Sequence, residues 1–408
     1  MTFNNKIINK IISEFNFNKN IESYQKIKEL VKKNNKDTNL IFTYGLMSMQ
    51  LNKINEAEKS FEYVLSNNLW HIDSIKQLYI IKLKKNKLDD ALVLIDKIIN
   101  KDKEQYDAIR DKAYILYLKK DYRHSIKLIN KVLKIKDNDY FAYNIKGLVL
   151  LSENKTLEAI KNFEKAIYLN KNYADSYNNL GKCYFDIENL NLAFENFEKA
   201  LKINPKSDLA CNNIGNVLSL NDNFDEAINY YKKALRINPE RLESFSNIAI
   251  CYCKTKNFNE ADHYYNKAMK INPNDHELQL SYCYMLIYFG KYEKAWKLFD
   301  ARLSIDKIKK MNLYHENIKN KLPKNNKIKS SEKILVLREQ GIGDEILFSS
   351  MYKDILIKNK NVFIESDPRL INIFKRSFKE NSFFESGFFS KDLNKINSFD
   401  KTIYAGSL

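Results

Sequence analysis

Three asparagines stand at equal intervals: Asn179, Asn213 and Asn247, each 34 residues from the next, with Asn178 and Asn212 directly before the first two. A carboxamide donates through its NH2 and accepts through its carbonyl, so a row of them suits a partner that does both. The backbone of an extended polypeptide is such a partner, and a ladder of amides grips it with little regard to side-chain sequence. The competing role is local, since asparagine also caps and solvates helices. Ile145 and Ser281 interrupt the row on either side. A second candidate is Asp344, which follows Gly341-Ile342-Gly343 in ILVLREQGIGDEILFSS. A carboxylate there can take a proton from a hydroxyl within hydrogen-bond reach. As a simple N-cap it contributes about 1 kcal/mol to the helix behind it. The cysteines (Cys183, Cys211, Cys251, Cys253 and Cys283) include no C-x-x-C pair and read as buried, reduced thiols. His71, His124, His263, His276 and His315 are scattered, with no H-E-x-x-H, so no metal site is expected.

The chain that must position these groups has 408 residues, 44% hydrophobic and 29% charged, which describes a folded protein with room for more than one domain. Only 5 prolines and 9 glycines favour long helices joined by short turns. No run approaches the roughly 18–20 apolar residues of a membrane span. The start, MTFNNKIINKIISEF, lacks the apolar core and cleavage site of a secretory signal, so a cytoplasmic location is expected. A net charge of +17 attracts polyanions. However, lysine is mixed with Asn and Ile throughout, and neither an aromatic RNP motif nor paired zinc ligands occur, so specific nucleic-acid binding is not expected.

The 34-residue interval recurs well beyond the asparagines. KALKINP, KALRINP and KAMKINP place Pro205, Pro239 and Pro273 at that step. Ala57, Ala91, Ala159, Ala193, Ala227, Ala261 and Ala295 form one column, broken only by Ser125. Ala166, Ala200, Ala234 and Ala268 form another. Gly45, Gly147, Gly181 and Gly215 form a third, continued by Ala113, Ala249 and Cys283. Phe61, Phe163, Phe197, Tyr231, Tyr265 and Phe299 form an aromatic column. Small residues belong where helix axes approach closely, and an aromatic fills the adjoining groove. Proline lacks the N–H to prolong a helix and fits the turn that closes a unit. One such helical hairpin cannot bury its apolar face alone, so neighbours must stack.

These columns closely resemble the tetratricopeptide repeat. The resemblance implies a mostly α fold, a superhelix of helical hairpins (an α-solenoid), in eight units from 38 to 309, clearest over 140–275. Residues 1–37 are then a cap or degenerate repeat. Tyr79 in the glycine column and Arg302 in the second alanine column mark departures. In this family the first helix of each unit lines a concave groove. The resemblance therefore places Asn178, Asn179, Asn212, Asn213 and Asn247 there and implies a protein or peptide partner. The row is similar to the asparagine ladder of the O-linked N-acetylglucosamine transferases.

The periodicity changes after about residue 309. Residues 310–333, rich in Lys and Asn, read as a linker. Residues 334–408 read as a small α/β, Rossmann-like fragment, with strands at 334–337, 362–365 and 402–405 and right-handed crossovers between them. Helical spacing recurs at Ile346, Leu347, Met351 and Ile355, and Pro368 opens a second helix. This order resembles the N-terminal half of a heptosyltransferase-like GT-B glycosyltransferase. The resemblance implies that Gly341 and Gly343 form a glycine turn and that Asp344 is the base for an acceptor hydroxyl. A nucleotide-sugar donor is held in those enzymes mainly by a C-terminal half with no counterpart before Leu408. An incomplete domain is therefore expected, with no cofactor in this chain and no transferase activity from these residues alone.

Overall fold

The computed structural model describes residues 10–15, 21–304, 329–338, 345–346, 348–378 and 382–405. The fold is a solenoid of helical hairpins followed by a small parallel sheet. The chain forms two compact units, 1–217 and 218–408.

The first helices of the hairpins are Thr38–Gln50, Ile72–Lys84, Tyr106–Leu118, Tyr140–Ser152, Ala174–Asp186, Asp208–Leu220, Leu242–Lys254 and His276–Tyr288, each of 13 residues. Their starts fall 34 residues apart, as do those of the 14-residue second helices from Ile54–Asn67 to Phe258–Ile271. The last second helix, Tyr292–Phe299, is shorter and tightens into a 3-10 turn over Asp300–Ser304. Arg302, at the position of a small residue elsewhere, is fully buried there with its guanidinium over the Phe299 ring and donating to the Phe299 carbonyl at 2.9 Å.

The small and aromatic columns meet as sterics demands. A Cβ built on Gly45 would lie 2.7 Å from Phe61; on Gly147, 2.6 Å from Phe163; on Gly181, 2.7 Å from Phe197. These rings are buried, so glycine is required by the close approach. Where the glycine column carries Tyr79 or Ala113, the facing column carries Ile95 or Ile129 instead of an aromatic, and all four volumes adjust together. Ser125, the exception in the alanine column, is buried and donates to the Ala113 carbonyl at 2.7 Å, which satisfies its hydroxyl.

Each hairpin turns through one left-handed residue: Asn52, Asn86, Lys120, Asn154, Glu188, Asp222, Lys256 and Gly290, all at positive φ and again 34 apart. The next residue closes the turn onto the helix, as in Asn189 N–H to the Tyr184 carbonyl at 2.8 Å and Glu188 N–H to that of Phe185 at 3.0 Å. Asparagine tolerates this conformation, but glutamate has no such allowance and costs about 1 kcal/mol there. Glu188→Gly is therefore expected to raise stability by about 1 kcal/mol, read as a higher denaturation midpoint; an unchanged or lower midpoint removes this account. Between hairpins, Asn170, Asn204, Asn238 and Asn272 each accept the N–H two residues on, at 3.0–3.3 Å. The repeat is thus closed by an asparagine turn, ahead of a proline in three of the four cases, a local geometry that asparagine side chains favour.

Near the start of the solenoid, a polar network ties Ile21–Lys33 to the first hairpin. Tyr24 donates to Glu56 at 2.6 Å, and Tyr44 and Lys28 also donate to it. Tyr24 and Tyr44, helped by Lys28, hold the Glu56 carboxyl down to about 2.

In the second unit the sheet is parallel throughout, in the order β3-β2-β1-β4, with β1 Ile334–Leu337, β2 Val362–Ser366, β3 Phe383–Glu385 and β4 Lys401–Tyr404. All four residues of β1 are buried, as befits an inner parallel strand. β3 lies in a stretch where the sequence reading places no strand; three residues are too few to show alternation. The helix expected after the glycine turn is interrupted by a 3-10 turn at Ser349–Met351 before Tyr352–Lys358. One buried cluster joins Tyr265, Ala268 and Phe299 of the last hairpins to Ile334, Phe348 and Tyr352, with the Phe299 and Phe348 rings 6.3 Å apart.

Candidate functional site

The five asparagines do not share one environment. Asn178 and Asn212 are buried, 6% and 5% exposed, whereas Asn179, Asn213 and Asn247 are half-buried. Asn213 Nδ2 donates to Asn178 Oδ1 at 2.9 Å, and Asn179 Nδ2 donates to Asn144 Oδ1 at 3.0 Å. Ser176 Oγ also donates to Asn144 Oδ1 at 3.0 Å. Asn179 and Asn213 are therefore each held by the inner amide of the preceding repeat. Asn144, buried at 4%, is a member of this system that the sequence reading left out. The signal was present, because Asn144, Asn178 and Asn212 run at the same 34-residue step.

Asn178, Asn179 and Asn213 line one cleft of ≈ 720 Å³ in the first unit, together with Asn216 and the apolar side chains of Leu148, Leu151 and Phe185. All of these come from the first helices of consecutive hairpins. Lys182 and Asp186, both exposed, bring one charge of each sign. Asn179 and Asn213 each use one N–H on these bonds, and a carboxamide has a second N–H and a carbonyl acceptor besides. That pairing of donor and acceptor matches a peptide unit. Asn212 is buried and is not part of this lining, and Asn247 sits on Leu242–Lys254 in the second unit.

Asp344, Gly341 and Gly343 lie outside the described residues. At the C-terminal ends of β1 and β2, the structure places a charged cluster that the sequence reading missed. Glu345 is fully buried, with the Arg338 Nε 3.2 Å from one carboxylate oxygen and the Asp367 N–H donating at 3.2 Å to the other. Burial pushes the Glu345 carboxyl up. Arg369, in bidentate contact at 2.8 and 2.9 Å, and Arg338 hold the Asp367 carboxyl well below the usual range. None of the five cysteines is in a disulfide, and burial pushes the thiol of Cys183 up to about 12 and those of Cys253 and Cys283 to about 11, so none of these three is a thiolate near neutrality. Among the described residues no group of His, Cys, Asp or Glu could hold a metal ion, and no helix is long and apolar enough to cross a membrane.

Family models place the geometry in context. A tetratricopeptide repeat model matches residues 208–274, a second matches 174–207, and a TPR repeat model matches 147–187. Residues 147–274 are tetratricopeptide repeats. Among solved structures, the tetratricopeptide solenoid is similar to the APC/C hetero-tetramer Cut9–Hcn1, with a TM-score of 0.55 at 14% identity over 70% of this chain and 56% of that one. It is also similar to YrrB, described as a TPR protein with an unusual peptide-binding site (TM-score 0.36, 24% identity, 45% of this chain and 94% of that one). A thermophilic TPR protein of Thermus thermophilus matches with a TM-score of 0.40 at 22% identity, over 45% of this chain and 99% of that one. At these identities the likeness concerns the fold. No curated protein sequence matches the chain.

Proposed function

We propose that the chain is an interaction scaffold whose tetratricopeptide repeats hold an extended segment of a partner protein. The observation that carries this reading is the convergence of Asn178, Asn179 and Asn213 on one cleft, with the two outer amides pre-oriented by the preceding repeat. Pre-orientation matters because a rigid donor–acceptor pair loses less entropy on binding than a free one. Two amide contacts of about 0.5–1.5 kcal/mol each make the double substitution Asn179→Ala/Asn213→Ala worth about tenfold in affinity. The loss is expected to be similar for peptides of unrelated sequence, measured by fluorescence anisotropy, because main-chain groups are read. Equal affinity of the variant and the parent, or a loss confined to one sequence, overturns it. Asn212 belongs to the buried row of Asn144 and Asn178, Asn247 presents an amide to a partner on the second unit taken by itself, and the location is cytoplasmic. The partner is a protein or peptide, and specific nucleic-acid binding is not part of the role. Steeply salt-dependent binding to RNA or DNA contradicts that assignment.

A second reading concerns the α/β segment as half of a heptosyltransferase-type glycosyltransferase. It is supported by the all-parallel order β3-β2-β1-β4, whose direction of winding reverses between β1 and β4, and by the charged cluster at the strands' C-terminal ends. Protection of 334–405 amides from hydrogen exchange by a nucleotide-sugar is the expected sign; no protection by any nucleotide-sugar removes this reading.

A further inference from the structure

We propose that the segment held by the amide cleft carries a bulky, neutral apolar side chain, aromatic or aliphatic, that seats in a second cleft of the first unit. The inference rests on the reading of the amide cleft as a polypeptide site. The second cleft, of ≈ 340 Å³, is walled by Tyr79, Ile80, Leu83, Tyr114, Tyr140 and Phe141. Tyr79 stands in the column that carries glycine, alanine or cysteine in the other repeats, so the departure in the sequence is what builds this wall.

The charge state of the cleft selects its occupant. Arg110 and Asp111 also line it, but they are engaged with each other and with their neighbours. Arg110 Nε and Nη2 donate to Asp111 Oδ1 at 3.1 and 3.0 Å, while Tyr79 donates to Asp111 Oδ2 at 2.6 Å. Arg110 Nη1 donates to Asp107 at 2.9 Å and to buried Asp139 at 3.0 Å. A charged side chain of either sign entering here gives up its water and finds no unengaged counter-ion, because Arg110 and Asp111 already hold each other and Arg110 also holds Asp107 and Asp139. A neutral side chain meets neither penalty and gains the faces of the rings, among them Phe141, already under the guanidinium at 5.0 Å.

The two clefts share one helix, Tyr106–Leu118. Tyr114 walls the second cleft and Tyr117 walls the amide cleft, and their rings stack with centroids 6.2 Å apart. One extended segment can therefore lie across both, reading main chain at one and a single side chain at the other.

The test is selection of a displayed library of random peptides, each about twelve residues long (roughly 40 Å extended), on the full chain and on two variants. Selected peptides are expected to share one position rich in Trp, Phe, Tyr, Leu or Ile. On Ile80→Glu that preference disappears while peptides are still recovered; Leu83→Gln serves as the second variant if the first does not fold. Individually, replacing the shared residue by Ala weakens binding about tenfold on the parent and not at all on the variant. No shared bulky position, or a shared basic or acidic one, overturns the inference even where Asn179→Ala/Asn213→Ala lowers recovery as the amide reading requires. Recovery that the asparagine double variant leaves unchanged, or no recovery at all, brings down the amide reading and this inference with it.

Discussion

Gly181→Val is expected to destabilise the solenoid by about 3 kcal/mol and to abolish peptide binding at the amide cleft. The first added carbon meets Phe197 Cδ1 and Cε1 at 2.7 Å and the Ala193 carbonyl oxygen at 3.1 Å. Phe197 is 1% exposed and cannot swing clear, and the carbonyl belongs to a helix backbone. Two opposing effects set the size. Leaving glycine in a helix interior returns up to about 1 kcal/mol of conformational preference, most of it for alanine and little of it for β-branched valine. Overpacking costs about 1–3 kcal/mol per inserted group, so Gly181→Ala loses modestly and Gly181→Val loses clearly. Removing the ring tests the cause. Phe197→Ala alone costs about 3–5 kcal/mol through its cavity, but the valine methyls of the double variant enter that space. The pair is therefore expected to be less damaging than the sum of its parts by about 1–3 kcal/mol in a denaturation cycle. Strict additivity would show that the contact is not the cause. Function follows from position, because Gly181 shares its helix with Asn178 and Asn179, and pushing that helix outward breaks their bonds to the neighbouring repeats.

The repeat was legible because it is enforced by volume at several independent columns. Gly181 and Phe197 are separated by a fixed 16 residues, and so are Gly45 and Phe61 and Gly147 and Phe163, so sequence alone pairs them. The left-handed turn was less legible, since Lys120, Glu188 and Lys256 are not residues that announce positive φ, whereas Gly290 is. There the two helices dictate the turn, and the local preference yields. The amide system was half legible. Asn179 and Asn213 stood out, but the division into buried and groove-facing amides depends on how one hairpin rotates over the next, which periodicity does not specify. The charged cluster of Arg338, Glu345 and Asp367 was not legible at all. Glu345 and Asp367 are 22 residues apart in the chain, and they meet only once β1 and β2 are paired.

Glu365→Gln is expected to cost about 3–5 kcal/mol and to release the segment between β3 and Leu393–Asn397. Glu365 lies on β2 and is 1% exposed. Its carboxylate accepts four hydrogen bonds from one turn: Gly387 N–H at 3.0 Å, Phe389 N–H at 2.6 Å, Ser390 N–H at 2.8 Å and Ser390 Oγ–H at 2.6 Å. Two of these reach each oxygen. Glutamine keeps the shape but replaces one oxygen with an NH2. Whichever way the amide is turned, backbone donors then face donors in a buried site, and they have no water to turn to. Gly387, at φ +88°, and Phe389, which packs on Phe363 and Phe399, are fixed by the same bonds, so sheet and turn loosen together. Ser390→Ala removes one of the four bonds and leaves the acceptor with the others, for a loss of about 1–3 kcal/mol. Hydrogen exchange resolves the difference: the amides of Gly387, Phe389 and Ser390 should lose protection in Glu365→Gln, while the hairpins of the first unit keep theirs. Retained protection at those three amides would mean that the turn is held by its own packing and that the carboxylate is incidental to it.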